Sequence, residues 1–310
     1  MNSVISVENL TRRFGDLVAV DHISFEVSEG EIFGFLGPNG AGKTTTVRML
    51  TGVIDPTQGM ASIRGHDIRR EPLNGREHIA VVPEEANVYL DLSLWRNVML
   101  MAELHSVPRQ RRHSKAEKLL EQMGLNGRKH QKARALSKGL RQRLMLCCAL
   151  VTEPDIVFLD EPTSGLDVHS TRLIWQIVDD LNDDGLTVFL TTHNMEEAEQ
   201  MCSRVAIINE GQIAAIDTPS VLRGAIKAGQ YVEVGFHGTA PETSALEKLE
   251  GVSKVSKGHG TYRLYAEAPG PVAILLGREA TEKGWDVDSL CTRRPGLEDV
   301  FVQLTGKERR

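Results

Sequence analysis

Apolar positions along this chain fall into short dense runs separated by stretches of helical spacing. Val4, Ile5 and Val7, followed by His22 to Val27, alternate as antiparallel strands do. Denser strand-like runs recur at EIFGFL (Glu31–Leu36), IAVVP (79–83), IVFL (156–159), TVFLTT (187–192) and VAIIN (205–209). Helical spacing intervenes in TTVRML (Thr45–Leu50), which closes near Gly52. It returns over residues 169–182, where Leu173, Ile174, Ile177, Val178 and Leu181 form one stripe. Strands alternating with helices predict an α/β layer with a largely parallel sheet, entered through an antiparallel β region. Between Glu84 and Leu136 no strand pattern stands out. Segments such as KAEKLLEQMG (Lys115–Gly124) predict amphipathic helices, here capped by Gly124, and hence a helical insert over about residues 85–150.

The pattern changes near Lys227. Beyond it the spacing predicts a strand (231–236), a helix (243–250), two strands (252–257 and 261–267), a helix (271–283) and a strand (286–291). That β-α-β-β-α-β order is the ferredoxin-like arrangement of a small α+β domain, with a short helix around Leu297–Leu304 after it. The expected domains are therefore 1–225 and 226–310.

Composition narrows the classes. The chain has 310 residues, 41% of them hydrophobic and 25% charged, which is ordinary for a globular protein. A net charge of −6 argues against nucleic acid as the main partner, because such proteins carry a sizeable basic face. The local basic runs PRQRRHSK (Pro108–Lys115) and RKHQKAR (Arg128–Arg134) read as solvated helix or loop faces, or as a surface for anionic lipid or an acidic partner. Four cysteines without C-x-x-C spacing point to a reducing compartment, and Cys147 and Cys148 fit small core residues. MNSVISVENL lacks the basic start and apolar stretch of a signal peptide. The apolar run LMLCCALV (Leu144–Val151) is far short of the ~20 residues that span a bilayer. A membrane role would have to be borrowed from a partner.

Chemistry concentrates in two segments. GPNGAGKTT (Gly37–Thr45) fits G-x-x-x-x-G-K-[ST], the phosphate-binding loop, and lies between a predicted strand and a predicted helix as that motif requires. Its backbone N–H groups and the helix N-terminus suit phosphate. Gly37, Pro38, Asn39, Gly40, Ala41, Gly42, Lys43, Thr44 and Thr45 are thus expected to line ATP. Gly37 and Gly42 shape the turn, Lys43 reaches the β- and γ-phosphates, and Thr44 holds Mg2+. IVFLDEP (Ile156–Pro162) then ends an apolar strand in an acidic pair. Asp160 can hold Mg2+ through a water, and Glu161 is placed to orient or deprotonate an attacking water.

A further segment narrows the family. RALSKGLRQRL (Arg134–Leu144) resembles the signature of ATP-binding-cassette (ABC) ATPases, usually LSGGQ. Phe14, PEE (83–85), SGLD (164–167) and TTH (191–193) fall in the family's order around it. The resemblance covers about residues 1–225. The tail PGLEDVFVQLTG (Pro295–Gly306) is similar to the extension of bacterial ATPase subunits of drug, antibiotic and lipid-linked exporters. It implies a phosphate-loop ABC ATPase core with an antiparallel β subdomain, a helical insert and an added α+β domain. It also implies roles: Phe14 stacking on adenine, Glu161 and His193 serving hydrolysis, and Asp167 communicating across a joint between two copies. Ser137, Lys138 and Gly139 would face the γ-phosphate of the other copy's ATP.

The implied partners are a second copy and separate membrane-spanning subunits, which would hold the chain on the cytoplasmic face of the membrane. A soluble ABC ATPase acting on nucleic acid or ribosomes is the alternative. It fits less well, since such relatives tend to carry two cassettes, coiled coils or metal-spaced cysteines. Three positions depart from the family pattern, one of them Leu140, which stands where the signature has glutamine. Glu84 replaces a glutamine, and a carboxylate only accepts hydrogen bonds, so its contact with Mg2+ or the attacking water is altered. Lys138 replaces a glycine, and either adds charge at the γ-phosphate or points to solvent.

Overall fold

The computed structural model describes residues 2–225, 230–238, 240–258, 260–293 and 296–306. It divides into two compact units, Met1–Pro219 and Ser220–Arg310. The expected change of pattern at Lys227, and Pro295 of the tail motif, lie outside the described residues.

In the first unit a long hairpin, β1 (Ser3–Phe14) and β2 (Leu17–Ser28), leads into β3 (Ile32–Leu36) and, through the glycine loop, α1 (Lys43–Leu50). The chain returns through β4 (Gln58–Ile63), β5 (His66–Asp67), α2 (Pro72–Glu77) and β6 (Ile79–Val82). Three helices follow: α3 (Leu94–Leu104), α4 (Arg109–Gln122) and α5 (Lys138–Leu150). Then come β7 (Ile156–Asp160), α6 (Val168–Asp183), β8 (Thr187–Thr192), α7 (Met195–Met201), β9 (Arg204–Asn209) and β10 (Gln212–Asp217).

One sheet runs β2-β1-β4-β5 and is antiparallel. The other runs β10-β9-β3-β8-β7-β6, parallel except for β10. Every residue of β3, β7 and β8 is buried, which explains why these strands read as apolar runs rather than alternations. Phe33, Phe35, Phe158 and Phe189 are fully buried among them. Phe189 stands 5.2–6.0 Å, centroid to centroid, from Phe25 of β2 and the other three rings. Each buried phenyl contributes about 1.5–3 kcal/mol. This cluster locks the hairpin sheet onto the parallel sheet and sets the height of the strand ends.

The helical region bears no named strand, although Ser93 makes an isolated bridge to Lys132. Ser93 caps α3 by accepting from the Arg96 N–H. Gly124 ends α4 at φ 66°, with the Leu125 N–H donating back to the Leu120 carbonyl. The basic run at Pro108–Lys115 opens α4. There Arg111 and Lys115 pair with Glu153 and Arg112 pairs with Glu103, so it is a solvated, ion-paired face. Cys147 and Cys148 of α5 are core residues, and burial pushes the Cys148 thiol up to about 12. No helix among the described residues is long and apolar enough to cross a membrane.

The boundary between the units falls at the start of α8 (Pro219–Gly224). The second unit continues as β11 (Tyr231–Phe236), α9 (Thr243–Glu247), β12 (Lys254–Lys257), β13 (Thr261–Tyr265), α10 (Pro269–Lys283), β14 (Val287–Arg293) and α11 (Leu297–Thr305). Its sheet has the order β12-β13-β11-β14 with antiparallel pairing throughout, the split arrangement that the sequence order predicts. Val232, Val234, Leu246, Leu264 and Leu276 fill a core of its own. The differences from the expected segments are at element ends, as in α9, which stops at Glu247.

Candidate functional site

The ends of β3, β7 and β8 lie side by side, with Leu36 beside Thr192 and Asp160 beside Thr191. Each strand releases motif residues at this carboxyl edge, where ligands bind in open α/β sheets. Gly37 opens the glycine loop. A β-carbon there would collide with the Ile208 carbonyl oxygen. Gly42 ends the loop at φ 107°, a conformation that only glycine adopts freely, and α1 starts at the next residue. The chain therefore arrives with its first helical N–H groups at the loop. Pro38, Asn39, Gly40, Ala41 and Thr45 complete that turn and the first helical positions.

Lys43 is 6% exposed, and its ammonium folds over its own loop. It donates to the Gly37 carbonyl at 2.8 Å and the Pro38 carbonyl at 3.2 Å, and its Nζ pairs with Glu161 Oε1 at 3.0 Å. The other Glu161 oxygen, Oε2, lies 2.7 Å from His193 Nδ1 and accepts from the His193 N–H at 3.3 Å. A carboxylate accepts only, so Nδ1 carries the histidine proton in this contact. Glu161 sits at φ 51°, a left-handed conformation unusual for its residue type, held by its N–H to the Thr191 carbonyl. Asp160 Oδ1 accepts from Thr191 Oγ1 at 2.5 Å and from Thr44 Oγ1 at 3.4 Å. A hydroxyl and a carboxylate so placed are the hard oxygen donors that Mg2+ takes. The structure thus brings Lys43, Thr44, Asp160, Glu161 and His193 together, with the lysine and histidine both turned onto Glu161.

A second group gathers around the segment that follows Glu161. Ser137 caps α5 and accepts from the Leu140 N–H at 3.4 Å. Gly139 is buried because a β-carbon would stand 2.7 Å from Ser170 Oγ, so its lack of side chain lets α5 close on α6. Asp167 caps α6, and hydrogen bonds from the Ser170 N–H and Oγ hold its carboxyl below the usual range. Lys138 is exposed, and its ammonium turns onto its own chain. It donates to the Ser164 carbonyl at 2.5 Å. Glu84, expected near Mg2+, accepts from Ser164 Oγ at 3.0 Å. A cavity of about 360 Å³ links the two groups, lined by Glu161, Ser164, Gly165, Leu166, Thr192 and His193 among others. Another of about 410 Å³, around Lys115, Glu153 and Leu186, holds none of the motif residues.

Phe14 ends β1 with its ring 46% exposed and the Arg12 guanidinium 4.5 Å above it. Arg12 went unnoticed in the sequence because nothing local marks it. Glu197 was also missed. It is fully buried in α7, accepts from Thr163 Oγ1 at 2.7 Å and Trp175 Nε1 at 2.9 Å, and burial raises its pKa. It fastens the helix after His193 to the segment after Glu161. Asn97, buried at the start of the helical region, accepts from the Tyr89 N–H and donates to the Tyr89 carbonyl, holding that backbone while the tyrosine side faces solvent.

Comparison with known proteins agrees with this geometry. A family profile described as ABC transporter matches residues 20–164. The chain is 34% identical over 311 residues to the daunorubicin resistance ATP-binding protein DrrA3 of Streptomyces coeruleorubidus, covering all of this chain and 98% of that protein. It is 36% identical over 306 residues to the Nod factor export ATP-binding protein I of Burkholderia lata, covering 98% and 97% of the two chains. Among solved structures, an ATP-binding subunit of an ABC transporter superposes with a TM-score of 0.66 at 27% identity, over 72% of this chain and 93% of its own. Nearly full-length identity above 30%, together with a shared core, shows that the chain belongs to the ATP-binding proteins of the ABC transporter family, which are ATPases.

Proposed function

We propose that this chain is the ATP-hydrolysing motor subunit of an ABC exporter, acting on separate membrane-spanning subunits from the cytoplasmic face. The observation that carries the reading is the clamp on Glu161, a buried carboxylate held by Lys43 on one oxygen and His193 on the other. Buried charges are kept only where partners compensate them, and this set sits at the mouth of a phosphate-binding loop. Exchange of the Lys43 contacts to Gly37 and Pro38 for phosphate oxygens would leave the ammonium on the nucleotide. Glu161 would then face the attacking water as acceptor, with His193 holding it in line. Thr44 and Asp160 are the residues that would hold Mg2+, whose charge offsets that of the phosphates. Phe14 offers an open ring for the adenine.

Two copies would enclose two ATP molecules, the capped end of α5 at Ser137 meeting the nucleotide of the other copy. Closure and release of that pair would drive the membrane subunits. Tyr89 and Leu90, 53% and 46% exposed at the edge of the helical region, form an apolar patch suited to a short helix of a membrane partner. The export roles named for the relatives support this reading, with the cargo selected by the membrane subunits. The deciding experiment is Glu161→Gln. It should bind ATP, accumulate as an ATP-bound dimer and hydrolyse slower by roughly 10²–10⁴-fold. A monomer at saturating ATP-Mg2+ would sink the two-copy mechanism.

A further inference from the structure

Two of the positions at which this chain departs from its family's pattern, Glu84 and Lys138, meet at one residue. Ser164 gives its hydroxyl to Glu84, at the start of the helical region, and its carbonyl to Lys138, at the first turn of α5. Ser164 opens the segment that runs from the catalytic-edge residue Glu161 to the α6 cap Asp167. Its own backbone is a tight turn, with the Ser164 N–H bonded to the Glu161 carbonyl and the Leu166 N–H to the Thr163 carbonyl, both at 3.1 Å. Gly165 lies at φ 64°, and a β-carbon there would come within 2.8 Å of Lys138 Nζ, so the ammonium lies directly over the turn. A glycine at position 138 could not make this contact, because it has no side chain.

We propose that Lys138 is a positioning residue for the Ser164–Asp167 turn of its own chain, rather than a phosphate contact for another copy. Lys138 and Glu84 hold Ser164 from its two polar ends, so the turn carrying Asp167 is tied to both the signature helix and the start of the helical region. A movement of the helical region relative to the sheet is thereby passed to Asp167. The charge of each departure suits this job. The ammonium is a strong donor to a carbonyl, and the carboxylate is an acceptor for a hydroxyl that needs nothing back. The inference rests on the ATPase reading for its consequence in turnover, but its structural part stands without nucleotide.

The test is hydrogen exchange of the full chain with no nucleotide present. Lys138→Met should speed exchange of the Ser164 and Leu166 amides by about threefold or more, the scale of one lost exposed hydrogen bond. Lys138→Arg, which can still donate to the carbonyl, should restore protection. Ser164→Ala, which removes only the Glu84 contact, should loosen the same amides in part. In turnover, Lys138→Met should lower kcat several-fold while KM for ATP moves less than about twofold, and Lys138→Arg should recover kcat. Unchanged exchange in nucleotide-free Lys138→Met, or a raised KM with unchanged kcat, would overturn the proposal. A parent chain that does not hydrolyse ATP would instead overturn the ATPase reading, leaving the exchange result to judge the turn.

Discussion

The two halves of the candidate site differ in burial, and burial governs how each is held. On the phosphate-loop side, Lys43, Asp160 and Glu161 are 6–8% exposed; Lys43 pairs with Glu161, and threonine hydroxyls hold Asp160. On the signature side, Lys138, Asp167 and Glu84 are exposed and keep a few hydrogen bonds at the surface. Buried charges lose several kcal/mol of hydration each, so their partners must be built in. Exposed pairs contribute about 0–1 kcal/mol and can be exchanged at little cost. The first half is a preassembled, buried set of charges in which Lys43 and His193 both reach Glu161. The second is a surface whose contacts are cheap to trade, which suits a face that works against something else.

Substitutions on the two halves should therefore differ by orders of magnitude. The largest effect is expected for Lys43→Ala, which removes the cation of the loop and leaves Glu161 with His193 alone. Phosphate release should fall to background, and turnover at the parent rate would remove Lys43 from the site.

Next is Tyr89→Asp, which tests the exposed side at the helical region. Export and membrane recruitment should be lost while ATPase activity of the isolated subunit stays largely intact. Survival of export, or unfolding of the isolated subunit, would discard the docking patch.

Glu197 probes the buried side through stability. Glu197→Ala leaves the Thr163 hydroxyl and the Trp175 indole N–H without their acceptor, and should cost about 2–3 kcal/mol in urea unfolding. Burial raises the Glu197 pKa above its ordinary value of 4.5, so the folded chain holds that proton longer than the unfolded one. The linked stabilisation is complete below that value and is lost as pH rises through the folded pKa. Glu197→Gln keeps an acceptor for both donors and cannot ionise. Its stability should therefore decline less than the parent's as pH is raised from 4.5, and parallel declines would rule out this group as the source.

The smallest effect belongs to Ser137→Ala, whose cap bond is long and exposed. A loss of about 0.5–1 kcal/mol in thermal unfolding is expected, and a loss beyond about 2 would show that this end is held as firmly as the buried half.

How much of this was legible in the sequence follows the same division. The glycine loop could be read because its conformation is local. Gly42 is needed by its own backbone at φ 107°, and a strand and a helix flank the loop in order, whereas Gly37 is needed because the distant Ile208 carbonyl packs against it. The fully buried strands could be read as apolar runs, and the second unit's order could be read because its elements are short and regular. Strands β4 and β5 were harder, since QGMASI (Gln58–Ile63) contains a glycine and no clean alternation, and its place is set by pairing with β1. The contact of Glu84 with Ser164, 80 residues away, had no signal in the sequence, because an exposed carboxylate goes to the donor that the fold brings near.

By itself, then, the sequence determined the α/β architecture, the phosphate loop and the identity of the acidic pair, since each depends on residue type and spacing over short stretches. Tertiary structure decided which side chains compensate which. The sheet order β3-β8-β7 sets the ends of three strands from distant parts of the chain beside one another, which places Lys43 and His193 on opposite oxygens of Glu161. The packing of α5 on α6 at Gly139 carries Lys138 to the Ser164 carbonyl, and the burial of α7 turns Glu197 inward to Thr163 and Trp175. These partnerships have no local signature, because desolvation and approach distance arise only once the layers have packed.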